Sequence, residues 1–321
     1  MRTAFVGSST LRVSQLGLGT MSWGGRTTAS EASDMLKAFA HAGGTLIDTA
    51  AAYGNGDVES LLGRLMRQDV PRRELVLATK SGFVVKRDQR VVDNSRSTLL
   101  KDLEGSLDRL GTDHVDLWQV HAWGEEPLEE TLSALDEAVS RGMAAHVGVS
   151  NFVGWQVAEA ETWQRARGNT PLISAQGEYS MLARSAELEL LPCLNQLQVG
   201  FFAWSALGRG VLSGKYANSI PAGSRGDDSS LAWFVEQYAD EGSRRIVEAL
   251  MVAARGLGLT AAQVALSWLC DSPHVTSALI GPRNLDQLQP LLSIDDIVLP
   301  EPIISALDDV TGGPRIYRLE S

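Results

Sequence analysis

Short apolar runs alternate with longer amphipathic ones along this chain. The apolar runs fall at residues 16–19, 45–48, 75–80, 115–121, 146–150, 173–176, 199–204 and 277–281. Between them, apolar positions recur with a period near 3.6, most plainly over 30–41, 97–110, 128–141 and 261–269, each bounded by Gly, Asp or Pro. Eight strand-then-helix units predict strands that run parallel and close on themselves. The expected fold is therefore α/β, a (β/α)8 TIM barrel forming a single domain over residues 1–321. Ahead of the first strand, Gly7-Ser8-Ser9 between Phe5-Val6 and Leu11 predicts a hairpin across the barrel floor. Residues 215–240 carry Pro221, Gly223, Gly226 and paired aspartates and exceed an ordinary connection, which predicts a mobile loop beside the active site. A last helix is expected over 303–310.

Composition narrows the class. With 321 residues, 44% hydrophobic and 21% charged, the chain can bury a large core and is not disordered. No window approaches the ~18 apolar residues of a membrane span, and the first residues carry no basic stretch followed by an apolar run, so a cytoplasmic protein is expected. A net charge of -11 offers no basic face for nucleic acid. Cys193 and Cys270 lie in apolar helical surroundings and read as buried structural thiols. His41, His114, His146 and His274 lack the spacing of a metal site, and none is expected.

In barrels of this kind the chemistry sits at the carboxyl ends of the strands. Here those ends are polar one after another: Asp48, Lys80, His121, Ser150-Asn151 and Gln176. Tyr53 follows Asp48 by five residues, close enough to lean over the same mouth. Together they form a proton-transfer set. Reduction of a carbonyl by a nicotinamide delivers a hydride to carbon and needs an acid at the oxygen, where negative charge develops. Tyr53 fits the acid, Lys80 would ease its ionisation, Asp48 would hold Lys80, and His121 would orient the carbonyl.

These segments, Asp48-Thr-Ala-Ala-Ala-Tyr53-Gly54, Ala78-Thr-Lys80, Gln119-Val-His121 and Gly148-Val-Ser-Asn151, resemble the signature segments of the aldo-keto reductases over nearly the whole chain. The resemblance implies catalysis by Asp48, Tyr53, Lys80 and His121 and an extended NADP(H) across the mouth. Ser150, Asn151 and Gln176 would hold the nicotinamide carboxamide, with Tyr179 stacked on the ring and Gly19, Thr20 and Met21 at its ribose. Trp204, Ser205, Leu207, Gly210 and Lys215 match a pyrophosphate-covering loop, and Gly281, Arg283 and Gln287 a grip on the 2′-phosphate that favours NADP over NAD. Pro290 and Leu291 depart from the pattern, standing where relatives carry an acidic residue and Asn against adenine.

Trp23 and Trp123 fall in loops at the mouth and are expected as flat substrate walls beside Tyr53 and His121, with Trp233 a lesser candidate. Trp118, Trp155, Trp163 and Trp268 read as core or helix-face packing. The expected partner is a small-molecule carbonyl compound, and the oligomeric state is left open. Two alternatives stand beside the reductase: a regulatory NADPH-binding protein like the potassium-channel β-subunits, disfavoured by the lack of a docking segment before the first strand, and a ketoreductase for nucleotide-linked deoxysugars.

Overall fold

Alternation of side chains with a period of two along each strand decides what fills the barrel and what rims it. In the computed structural model, which describes residues 1–313 apart from 87–88, 218, 222–225 and 228–231, eight parallel strands close into a barrel. They are β3 (Leu16–Gly19), β4 (Leu46–Asp48), β5 (Val76–Ser81), β8 (Val115–Val120), β9 (Ala144–Ser150), β10 (Leu172–Glu178), β11 (Gly200–Trp204) and β12 (Ser277–Ile280). Closure comes from β12 pairing with β3 through Ala278 and Leu16 to Ile280 and Leu18. Two hairpins stand apart from the barrel: β1 (Thr3–Phe5) with β2 (Arg12–Ser14), and β6 (Phe83–Lys86) with β7 (Gln89–Val92).

The helices are α1 (Ala29–His41), α2 (Asp57–Gln68), α3 (Arg96–Leu110), α4 (Leu128–Ser140), α5 (Gly154–Arg167), α6 (Leu190–Leu197), α7 (Ala232–Glu236), α8 (Glu241–Leu257), α9 (Ala261–Cys270), α10 (Leu285–Leu288) and α11 (Glu301–Thr311). Their starts follow local chemistry. Thr28 and Thr260 each accept a backbone N–H while Glu31 and Gln263 return the bond, closing capping boxes on α1 and α9. The apolar faces bury against the outward residues of the strands, among them Ile47, Leu77, Trp118 and Phe201.

Inside the barrel a smaller apolar layer forms the floor: Leu46, Ala78, Leu117, Ile173, Phe202 and Leu279, capped by Val6 and Val13 of the first hairpin. That hairpin lies where the turn at Gly7 predicts it, with Ser8 N–H on the Gln198 carbonyl at 2.9 Å. Gly17 contributes by what it lacks, since a Cβ there would lie 2.4 Å from the Leu279 side chain inside this layer. Two residues further along the strands, ~7 Å toward the mouth, the inward positions become Asp48, Lys80, Gln119 and Trp204.

Among the described residues no single helix is long and apolar enough to cross a membrane. Among the described residues no group of three or more His, Cys, Asp or Glu is placed to hold a metal ion. Cys270 is buried, and burial pushes its thiol up to about 12, whereas Cys193 is only half-buried, so the expectation of two buried thiols holds for one. Part of the 215–240 segment lies outside the described residues.

Candidate active site

The chain leaving β4 zips onto β5. Thr49 N–H donates to Ala78 O at 2.9 Å and Ala51 N–H to Lys80 O at 3.0 Å, which carries Tyr53 over the end of the neighbouring strand. The turn then reverses through Gly54, Asn55 and Gly56, all with positive φ. Gly56, at φ 96°, also leaves the space Arg109 needs, because a Cβ would stand 2.6 Å from the Arg109 Cδ. Arg109 in turn pairs with fully buried Glu59 at 2.8 Å, and Glu59 accepts from Thr79 at 2.5 Å. One buried network thus fixes the turn carrying Tyr53 and the strand carrying Lys80.

Lys80, 1% exposed, points its Nζ at both Asp48 oxygens, 2.7 Å each, and at Thr49 O at 2.9 Å. Burial works against its charge, yet the Asp48 carboxylate, with Tyr53 and Glu59, outweighs burial and holds its pKa above the ordinary lysine value. Asp48 also accepts from Gln176 Nε2 at 2.9 Å, so the barrel mouth is bridged from β4 to β10.

The Lys80 ammonium lies 5.5 Å from the Tyr53 ring centroid. Burial raises the Tyr53 pKa above 10.0, and Lys80 only partly counters it. Lys80 thus acts in the expected direction, toward the phenolate, but desolvation outweighs it and the hydroxyl keeps its proton. His121 meets Tyr53 edge-on at 5.9 Å between centroids. Burial, then Lys80 and Arg90, depress its pKa well below 6.5, leaving a neutral imidazole whose Nδ1 is buried without a partner among the described residues. A phenol donor, a neutral imidazole and a fixed ammonium–carboxylate pair converge on one small volume. Such a set can deliver a proton and a hydrogen bond to an oxygen that gains negative charge.

Comparison with known proteins agrees with this geometry. The model of the aldo/keto reductase family matches residues 15–311. The chain belongs to the aldo/keto reductase family. It is 35% identical, over 324 residues covering 98% of this chain and 97% of the relative, to a Bacillus subtilis (strain 168) protein named Uncharacterized oxidoreductase YrpG. Aldo/keto reductases generally use a nicotinamide cofactor, commonly NADP(H).

The remaining sequence-derived positions of this aldo/keto reductase divide into those at the mouth and those elsewhere. Asn151, at φ 57°, donates to His121 O at 2.9 Å and to Ser150 Oγ at 3.1 Å, and accepts from Trp204 Nε1 at 3.0 Å. Its amide is fully engaged in tying three strands together. Gln176 donates through Nε2 to Asp48 and to Gln119, leaving its oxygen without a partner among the described residues. Thr20 is locked to Asp48 O, next to Gly19 at the end of β3, and Met21 beyond it is 59% exposed.

Tyr179 is not brought to the mouth. It is buried against Phe201 and Trp268, and its hydroxyl donates to Glu187 at 2.7 Å. The aromatic ring that does face the mouth is Trp204, at the end of β11 and bonded to Asn151. Ser205, Leu207 and Gly210 form a tight turn in which Ser205 and Arg209 also take positive φ. The Lys215 ammonium lies along Gly210 and over the Tyr216 ring at 5.0 Å.

Past β12, Arg283 N–H donates to Gln287 Oε1 at 3.1 Å, and Thr27 Oγ1 donates to Arg283 O at 3.0 Å, joining the loops after the last and first strands. That junction brings in Arg26, close enough to depress the Arg283 pKa after burial has done so. Pro290 is exposed and Leu291 buried, so neither side chain offers a polar group there.

Trp23 is 2% exposed and lies within the core cluster rather than standing as an open wall. Trp123 is half-buried and packs edge-to-face against Phe152 at 5.0 Å and Trp155 at 5.4 Å. Trp155, expected in a packed face, is 55% exposed. Sequence reasoning did not find the β6–β7 hairpin, which places Phe83 edge-on to His121 at 4.7 Å.

Proposed function

We propose that this chain is an NADPH-dependent aldo/keto reductase that reduces an aldehyde or ketone to the alcohol, with Tyr53 giving the proton to the carbonyl oxygen. The observation that carries the reading is the buried Lys80–Asp48 pair at 2.7 Å beneath a protonated Tyr53 and beside a neutral His121.

The residues at the mouth fit a nicotinamide cofactor. Gln176 has an open acceptor for a carboxamide, Ser150 stands next to it across the paired strands, and Trp204 offers a ring face. Arg26 and Arg283 together offer two guanidiniums to a 2′-phosphate, which favours NADPH over NADH. Bound there, a reduced nicotinamide supplies the hydride.

The chain's own residues handle the oxygen. Burial keeps the Tyr53 proton in place until negative charge develops, and Lys80 then stabilises the phenolate left behind. Asp48 keeps that ammonium from reaching elsewhere. Neutral His121 donates a hydrogen bond to the carbonyl without competing for the proton. A small-molecule carbonyl compound is the substrate class this arrangement serves.

The test is a titration with NADPH and NADH followed by Trp fluorescence, then turnover on aromatic aldehydes, dicarbonyls and keto-sugars read at the nicotinamide band. Tyr53→Phe should lower turnover by about 10²–10⁴-fold and leave NADPH affinity within twofold. Turnover retained in that variant would remove Tyr53 as the donor, and tight NADPH binding without turnover on any carbonyl would favour a regulatory protein.

A further inference from the structure

The β6–β7 hairpin rises from the end of β5, which lies opposite β11 and its Trp204 across the barrel. Phe83 starts it, edge-on to the His121 imidazole. The Arg90 guanidinium, on the opposite strand, lies over the Phe83 ring at 4.8 Å. Its Nη2 donates to Ala52 O at 2.8 Å, the residue before Tyr53. Arg90 therefore touches the turn that carries the phenol and the ring that packs on the imidazole, and its charge is felt at both groups.

The two cations of the hairpin among the described residues, Lys86 and Arg90, are treated differently. Lys86 is neutralised by Asp93 at 2.7 Å, and Asp93 is further held by Ser95. Arg90 is exposed and has no carboxylate partner among the described residues. At the centre of the site the Lys80 and Asp48 charges cancel, which leaves Arg90, among the described residues, as positive charge at the rim without a paired carboxylate. A guanidinium has five N–H donors in a planar fork that matches a carboxylate, and the bond to Ala52 engages one of them. The stack on Phe83 and the tie to Ala52 hold that fork in place, so little side-chain freedom is lost when an anion arrives.

We propose that Arg90 binds a carboxylate on the substrate, so that the enzyme selects aldehydes or ketones carrying an anionic group a ring's length from the carbonyl. This rests on the reductase reading of the same site. Arg90 is on this view a substrate-binding and specificity-determining residue, with no part in the proton transfer itself.

The experiment compares 4-carboxybenzaldehyde with its methyl ester, which has the same ring and carbonyl but no charge. The full-length protein and its Arg90→Met and Arg90→Lys variants are assayed with NADPH, and the quantity read is the ratio of kcat/KM for acid over ester. Taking the ratio cancels any general effect of the substitution on the site. Loss of a charge-assisted fork should lower it roughly ten- to a hundredfold in Arg90→Met, with Arg90→Lys between, because the charge survives and the fork does not. An unchanged ratio would show that Arg90 merely pins the hairpin and would overturn the proposal.

A second arm reads binding without turnover: quenching of Trp fluorescence by 4-carboxybenzaldehyde in the presence of NADP⁺. A Kd weakened about tenfold or more in Arg90→Met supports the carboxylate site, and an unaltered Kd overturns it. The reductase reading itself fails only if no carbonyl of the wider panel is reduced, and this binding arm decides the role of Arg90 whether or not either aldehyde is turned over.

Discussion

Removing one member of the Lys80–Asp48 pair should cost far more than removing both. Lys80 is 1% exposed and reaches three oxygens within 2.9 Å, so Asp48→Asn leaves an ammonium buried without its counter-charge. Lys80→Met leaves the carboxylate with the Gln176 amide as its one donor among the described residues. Breaking a buried pair in this way costs about 3–5 kcal/mol. Unfolding entropy of ~2.1 cal/mol/K per residue gives ~0.7 kcal/mol/K for a chain of 321 residues. Dividing the one by the other, each single variant should melt about 4–7 °C below the parent. The double variant removes both charges, and its asparagine still accepts from Gln176, so it should regain all but ~1–2 kcal/mol. Thermal and urea unfolding by circular dichroism measure the cycle. A double variant as unstable as the two singles combined would show independent packing losses and would refute the argument.

Other outcomes follow from the same geometry. Because burial raises the Tyr53 phenol above 10.0 and lowers His121 well below 6.5, both stay in their working protonation states between those values. The kcat of carbonyl reduction should be flat from pH 6.5 to 10, and a titration limb inside that window would contradict the assignment of both groups. The same depression means folding stability falls as acid drives protons onto the unfolded-state His121 below its ordinary 6.5, measurable as a declining Tm. Replacing Arg26 and Arg283 together by Met should weaken NADPH about tenfold or more and NADH hardly at all, and an equal loss for both nucleotides would remove the 2′-phosphate assignment. Gly148→Ala would push a Cβ to 2.1 Å from Ser174 Oγ and 2.6 Å from Ser174 O, so a loss of about 1–3 kcal/mol is expected in urea unfolding, and an unchanged midpoint would count against close β9–β10 packing.

The barrel was legible because strand and helix periods differ so plainly along this chain, and the polar strand ends were legible because each follows an apolar run. Tyr179 shows where that reading slipped. Counting by twos from inward-facing Gln176 puts Tyr179 on the outer face, and the same count from Phe202 puts Trp204 at the mouth. The alternation carried the answer, while proximity in sequence did not. Arg26 could not be found by local pattern, because it meets Arg283 only where β12 closes on β3. The β6–β7 hairpin pairs only with itself, so its two four-residue strands stand apart from the strand–helix rhythm; Val84-Val85 and Val91-Val92 flanking a polar stretch were the available signal.

Closure of the barrel by its first and last strands has a consequence for how the protein comes into being. Asp48 is bridged to Gln176, 128 positions away, and the loop holding Arg26 is tied to a residue 256 positions later. On the proposed reading of the site, no amino-terminal fragment that ends before β12 contains both halves, so a growing chain would not grip a nucleotide until β12 has emerged and docked. Ligand capture would then be a report of completed assembly: the nucleotide would stabilise finished molecules alone and give no shelter to partly made ones.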